Sequence, residues 1–115
     1  MLLERSDVNP DNINVWGQAP LSMAAGNGHE GVTRMLLERN DVDPNKSDKR
    51  RRTPLWLAAA NRYEGTVRML LERSEVNPDH ANRLGQTPLM RATENGHEGV
   101  VRMLLERSDP EKRNI

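Results

Sequence analysis

Arg34-Met35-Leu36-Leu37-Glu38-Arg39 recurs without change at residues 68–73 and again at 102–107, a spacing of 34. Working outward, Pro20-Leu21, Pro54-Leu55 and Pro88-Leu89 keep the same spacing. Three full units follow, at 7–40, 41–74 and 75–108. Residues 1–6 match 103–108 and read as the end of a further unit, while 109–115 form a polar tail. Both ends therefore read as cut from a longer array. A fixed period of this length marks stacked supersecondary units that each bury their apolar face only against a neighbour. Residues 1–115 are taken as one such domain.

The composition agrees with a thin, layered core. The 115 residues include no Phe, one Tyr, two Trp and no Cys. A compact globule fills its centre with aromatics, whereas a repeat layer touches only the next layer. The absence of Cys excludes disulfides and fits a reducing compartment. No apolar run reaches the roughly 18 residues of a membrane span. The chain is accordingly expected to be soluble and cytoplasmic. Its formal net charge is zero, which gives no global attraction to nucleic acid or membrane.

Each unit reads as turn, short helix, tight loop, second helix. Thr53-Pro54 and Thr87-Pro88 are helix starts: Thr caps free N–H groups and Pro suits the first helical position. Ala19 precedes Pro20, so the first unit lacks that cap, a loss of about 1 kcal/mol. The first helices are expected near 20–26, 54–60 and 88–94, rich in small residues such as Ala24-Ala25 and Ala58-Ala59. Asn27-Gly28 and Asn95-Gly96 stop them, because Gly enters the left-handed region cheaply. The second helix is expected over 30–39 and its counterparts. Val32, Met35 and Leu36 form its stripe, widened by Leu37. The polar, Pro-containing links between units are projecting, hairpin-like fingers.

Thr-Pro-Leu at 53–55 and 87–89, the Ala pairs, Asn-Gly-His at 27–29 and 95–97, and the Val-x-x-Met-Leu-Leu helix together resemble the ankyrin repeat. The resemblance covers nearly the whole chain. It implies an all-α solenoid of stacked helix-turn-helix units with projecting hairpin-like fingers. The long fingers and the Asp-Val-Asn-Pro-Asp junction most resemble ankyrin arrays of multidomain fungal proteins. Departures stand out. The His that usually follows Thr-Pro-Leu is replaced by Ser22, Trp56 and Met90, and the end of the second helix is shortened. In the second unit Arg51 replaces the finger Gly, and Arg62-Tyr63 replaces Gly-His. An altered finger turn and an altered inter-helix loop are expected there.

The family binds proteins through finger tips and the exposed face of the first helix. Carried over by position, this implies Val15, Trp16, Gln18, Lys49, Arg50, Arg52, Arg83, Leu84 and Gln86 on the fingers. On the first helices it implies Met23, Asn27, Leu57, Asn61, Arg91 and Asn95. These positions differ most between the units. Trp16 is either a binding anchor or folded back onto the next finger. Trp56 is expected to pack. Lys49-Arg50-Arg51-Arg52, with Lys46, is a basic run that reads as a solvated finger diluted by Asp41, Asp43 and Asp48.

Catalysis finds no support. His29 and His97 occupy equivalent sites two layers apart, roughly 20 Å at about 10 Å per layer, and read as structural. No nucleophile triad, phosphate loop or metal spacing occurs. No catalytic residue, metal or cofactor is therefore expected. The leading reading is a non-catalytic protein–protein interaction scaffold, a fragment of a longer array, whose partner the sequence does not name. The alternatives are an engineered or excised structural array without a partner, and a binder of acidic ligands or nucleic acid through 46–52. Nucleic acid is disfavoured and membrane excluded. Leu2, Leu3 and the last helix leave apolar ends, so end-to-end self-association is expected.

Overall fold

The computed structural model describes residues 14–108. The expectations for 1–6, for the start of the first unit at 7–13 and for the tail at 109–115 lie outside the described residues. Six helices follow in order: α1 (Pro20–Gly26), α2 (Glu30–Leu37), α3 (Pro54–Ala60), α4 (Glu64–Leu71), α5 (Pro88–Glu94) and α6 (Glu98–Ser108). Among the described residues there is no strand. α1, α3 and α5 pack as one layer, and α2, α4 and α6 as a second. Each odd helix also packs on the even helix that follows it. The molecule extends 45 × 29 × 19 Å, longer than it is wide, as stacking in one direction requires.

Local chemistry sets the first helices. Thr53 Oγ1 accepts from the Trp56 N–H, and Thr87 Oγ1 from the Met90 N–H, both at 3.1 Å. Ala19 offers no such bond to α1. All three helices end in the same way. The N–H groups of His29, Tyr63 and His97 reach back to the carbonyls of Ala24, Ala58 and Ala92, at 2.9, 3.0 and 2.9 Å. The residue before each lies at positive φ, which lets the chain reverse and satisfies the helix's last carbonyls. The second helices α2 and α4 stop at Leu37 and Leu71, short of the expected Arg. There the Arg39 N–H bonds Leu36 O and the Arg73 N–H bonds Leu70 O, three residues back, so the last turn tightens. α6 continues to Ser108.

The expected second-helix stripe is partly corrected. Thr33, Leu36 and Leu37 are buried, but Met35 is 48% exposed. Its counterpart Met69 is buried beside Glu30 and Arg34 of α2. The Met position thus faces the preceding unit and is covered only where such a helix is packed on it. Leu55, Leu70 and Leu104 are fully buried, each contributing about 1.5–3 kcal/mol relative to exposure. Gly65 and Gly99 have a separate reason: a Cβ there would collide with the carboxylates of Glu30 and Glu64. Each of these Glu side chains comes from the preceding unit and lies at the positive end of the next second helix.

Polar links join the units at the other edge. The Arg39 guanidinium forks onto Asp41 at 3.0 and 2.9 Å. That hydrogen bonding raises the Arg39 pKa and lowers that of Asp41 from their ordinary values. Asn45 Nδ2 donates to Glu75 O, and its Oδ1 accepts from the Asn77 N–H, both at 2.7 Å. Arg107 donates to the carbonyls of Leu71, Ser74 and Val76, closing the end of α4.

The second unit was expected to change its finger turn and its inter-helix loop. It changes neither. Arg51 and Arg62 adopt φ of 64° and 63°, beside 77° and 79° at Gly17 and Gly85 and 72° and 70° at Gly28 and Gly96. The hydrogen bonds around them are the same as in the outer units. Packing on both sides over-determines the turn, and the side chain tolerates a conformation that costs about 1–2 kcal/mol outside Gly. Thr66 is a second local compromise. It is fully buried at the position of Val32 and Val100, and its hydroxyl has no hydrogen-bond partner. Thr66→Val and Arg62→Gly are each expected to raise stability by about 1 kcal/mol in urea unfolding with an unchanged m-value.

Candidate functional site

Each finger is a three-residue hairpin loop. The N–H groups of Asn14, Asp48 and Asn82 bond the carbonyls of Gln18, Arg52 and Gln86, and those of Gly17, Arg51 and Gly85 bond back to 14, 48 and 82. One side chain locks each loop. Asn14 Oδ1 accepts from the N–H groups of Trp16 and Gln18 at 3.0 and 2.9 Å. Asp48 Oδ1 does the same for Arg50 and Arg52 at 2.9 and 2.8 Å, and Asn82 Oδ1 for Leu84 and Gln86 at 3.0 and 2.9 Å. Short Asn and Asp side chains favour this bonding to backbone two residues on.

The remaining atom of that side chain is satisfied differently in the middle unit. Asn14 Nδ2 and Asn82 Nδ2 donate to Gln18 Oε1 and Gln86 Oε1, at 3.3 and 3.1 Å. Asp48 carries no donor, and Arg52 Nε donates to its Oδ2 at 2.8 Å instead. An amide pair and an ion pair thus fill the same place. Sequence reasoning missed this lock. Its signal was available: Asn, Asp and Asn at a spacing of 34, each followed four residues on by a matching Gln, Arg or Gln.

Neighbouring fingers are tied edge to edge. The Lys49 N–H bonds Trp16 O at 3.2 Å, and the Arg83 N–H bonds Arg50 O at 2.9 Å. The Lys49 stem lies over Gly17, where a Cβ would fall 2.7 Å from its Cγ. Lys49 Nζ donates to Val15 O at 3.0 Å. Lys49 is therefore a rivet between fingers as well as a charge.

Between the second and third fingers and the first-layer helices lies an open groove of about 720 Å³. Trp56 forms its floor and is only 7% exposed. The indole Nε1 donates to Gln86 O at 2.9 Å. The guanidinium carbons of Arg52 and Arg91 each lie 5.9 Å from the ring centroid, so both cations are within cation–π reach of the ring. Leu57, Ala60 and Asn61 line the helix side, and Arg50, Asn82, Arg83, Leu84 and Gln86 the finger side. Among the described residues, no carboxylate lines the groove.

A family model described as ankyrin repeats, three copies, matches residues 1–82 and, overlapping, 41–114. The chain belongs to the ankyrin-repeat family. No individual curated protein matches it. Ankyrin repeats mediate protein–protein interaction and are typically non-catalytic. Among the described residues of this ankyrin array, no group of three or more His, Cys, Asp or Glu could hold a metal ion. No described helix is long and apolar enough to cross a membrane.

The positions singled out by sequence fall into distinct groups in the array. Arg50, Arg52, Leu57, Asn61, Arg83, Leu84, Gln86 and Arg91 meet at the one groove. Val15, Trp16, Gln18, Met23, Asn27, Lys49 and Asn95 lie outside it. Trp16 is 60% exposed, so it does not fold back onto the next finger. Val15, beside it on the same finger, and Leu84 on the third finger are exposed as well. Several of the polar positions are bonded within the array. Gln18, Arg52 and Gln86 lock their own fingers. Asn27 Nδ2 bonds Met23 O at 2.8 Å, whereas Asn61 and Asn95 reach the carbonyls of Gly26 and Ala60 in the preceding unit, at 3.2 and 3.4 Å. Leu57 is buried, against Gly26. His97 Nδ1 lies 3.1 Å from Ala59 O, so its ring bridges two units, a structural role.

The finger lock gives a direct test. Asp48→Ala strands two backbone N–H groups and the Arg52 side chain, and is expected to cost about 2–3 kcal/mol in urea unfolding. Asp48→Asn combined with Arg52→Gln restores the pairing of the outer units and is expected to recover most of that loss.

Proposed function

We propose that this ankyrin array is a non-catalytic protein–protein interaction scaffold of the cytoplasm and part of a longer array. Its docking surface runs along the finger tips Val15, Trp16, Arg50, Arg83 and Leu84, and continues onto Met23 and Arg91 of the first-layer helices. The groove carries this reading: it is a concavity with an apolar floor and a polar rim, bounded by a rigid ladder of bonded fingers. Preformed clefts of this kind are where partners dock at low ordering cost. Trp16 supports it too, because a largely exposed Trp at a rigid tip has the character of an interface anchor.

The test is capture of binding peptides from an unbiased random library by the folded array. Trp16→Ala and Arg83→Ala are each expected to weaken captured peptides by about tenfold or more while leaving the thermal transition in place. Binding indifferent to every finger and first-helix substitution would remove this surface. The same reading includes end-to-end association, supported by half-exposed Met35 and Leu105 on opposite end faces. The sedimentation coefficient is expected to rise with concentration, and Met35→Gln with Leu105→Gln to suppress that rise.

A further inference from the structure

We infer that the groove between the second and third fingers takes an extended acidic segment of the partner protein. Its carboxylates would meet Arg50, Arg83 and Arg91, and an adjoining apolar side chain would meet Leu84. The inference rests on the protein-binding reading and names the chemistry of the partner.

Charge partition is the first observation. The chain is formally neutral, yet among the described residues four Arg and no carboxylate line this groove. Two of the four are already engaged. Arg52 is paired to the buried Asp48, and Arg91 NH1 meets Glu94 at 2.7 Å outside the lining. Arg50 and Arg83 have no carboxylate within ion-pair distance among the described residues. They sit on adjacent fingers joined by the Arg83 N–H to Arg50 O bond. Two uncompensated cationic side chains on adjacent, bonded fingers line the same groove, and an anion entering it would meet both. Each also offers the planar fork that fits a carboxylate at two points.

The second observation is an unmet donor. Arg91 Nε is out of contact with solvent and has no acceptor. A buried donor left unpaired is costly, so this side chain is favoured to re-engage when an acceptor enters. The third concerns the kind of polyanion. Trp56 is covered, so the groove presents no aromatic face for a base to stack on. Leu84, 81% exposed, stands on the rim beside Arg83. A cation beside an apolar residue suits a peptide with alternating acidic and apolar side chains, which an extended chain presents in alternate directions. Neutral overall charge also removes the long-range attraction on which non-specific nucleic-acid binding depends.

The probe is a fluorescein-labelled peptide of alternating Glu and Leu. About ten residues span ~33 Å when extended, shorter than the 45 Å stack. Comparison peptides carry Gln or phosphoserine in place of Glu, and a thymidine oligonucleotide of equal length serves as the other polyanion. Anisotropy reads affinity, and the indole N–H resonance of Trp56 reports whether the groove is the place occupied. The Glu or phosphoserine peptide is expected to bind and to move that resonance, the tighter of the two identifying the source of the charge. The Gln peptide is expected to bind about tenfold more weakly or worse, and Arg50→Gln with Arg83→Gln to cause a similar loss without lowering the thermal transition. Equal affinity for the Glu and Gln peptides overturns the inference, as does binding of the oligonucleotide in preference to both acidic peptides. The library selection separates this failure from that of the broader reading. Neutral or basic peptides that depend on Arg83 or Leu84 would sink the acidic partner and leave protein binding standing. Peptides indifferent to the whole surface would sink both.

Discussion

Burial between units, rather than within them, is the constraint on which this molecule depends. α3 shows it most plainly: from Pro54 to Ala59 every side chain is buried, because α1, α5 and α4 surround the helix. A seven-residue helix is too short to persist alone in water. It exists because Ala58 and Ala59 let its neighbours approach closely. The same constraint explains why identical residues have different exposure in different units. Met69 is covered by the helix before it, while Met35, with the same local sequence, is half exposed.

The fingers build on that rigidity. Each is locked internally by an Asn or Asp, then bonded to the next through backbone groups that neither side chain nor charge can change. Side chains can therefore vary at the tips without disturbing the frame. The exchange of Asn–Gln for Asp–Arg in the middle unit is an instance: it alters charge while conserving every backbone bond of the loop. The groove inherits its shape from this ladder and its polarity from the residues that the ladder leaves free.

Much of the fold was legible because its signals are local. Thr-Pro starts, Ala-rich interiors and Asn-Gly stops are read within a few residues, and the observed first helices have the expected bounds. The errors arose where neighbours decide. Arg51 and Arg62 lack the local preference for positive φ, and only the packed frame imposes it. The site was legible in part. Position in the repeat pointed to Arg50, Arg83 and Leu84, but the role of Gln18 or Arg52 depends on Asn14 or Asp48 across the loop. The tie between Trp56 and Gln86 joins residues 30 apart, and no local pattern encodes it.

The ties between units have one more consequence. Apart from the Arg39–Asp41 link at a unit boundary, the side-chain hydrogen bonds that cross from one unit to another among the described residues span 30 to 38 residues, about one period, and none skips a unit. Loop closure is thus met in equal, modest steps, whatever the length of the array. Such a chain gains order by propagation from a formed layer rather than by a single global search. The middle unit is the one bonded on both flanks. Its strained arginines and stranded Thr66 hydroxyl are costs that the unit can carry only with a neighbour packed on each side.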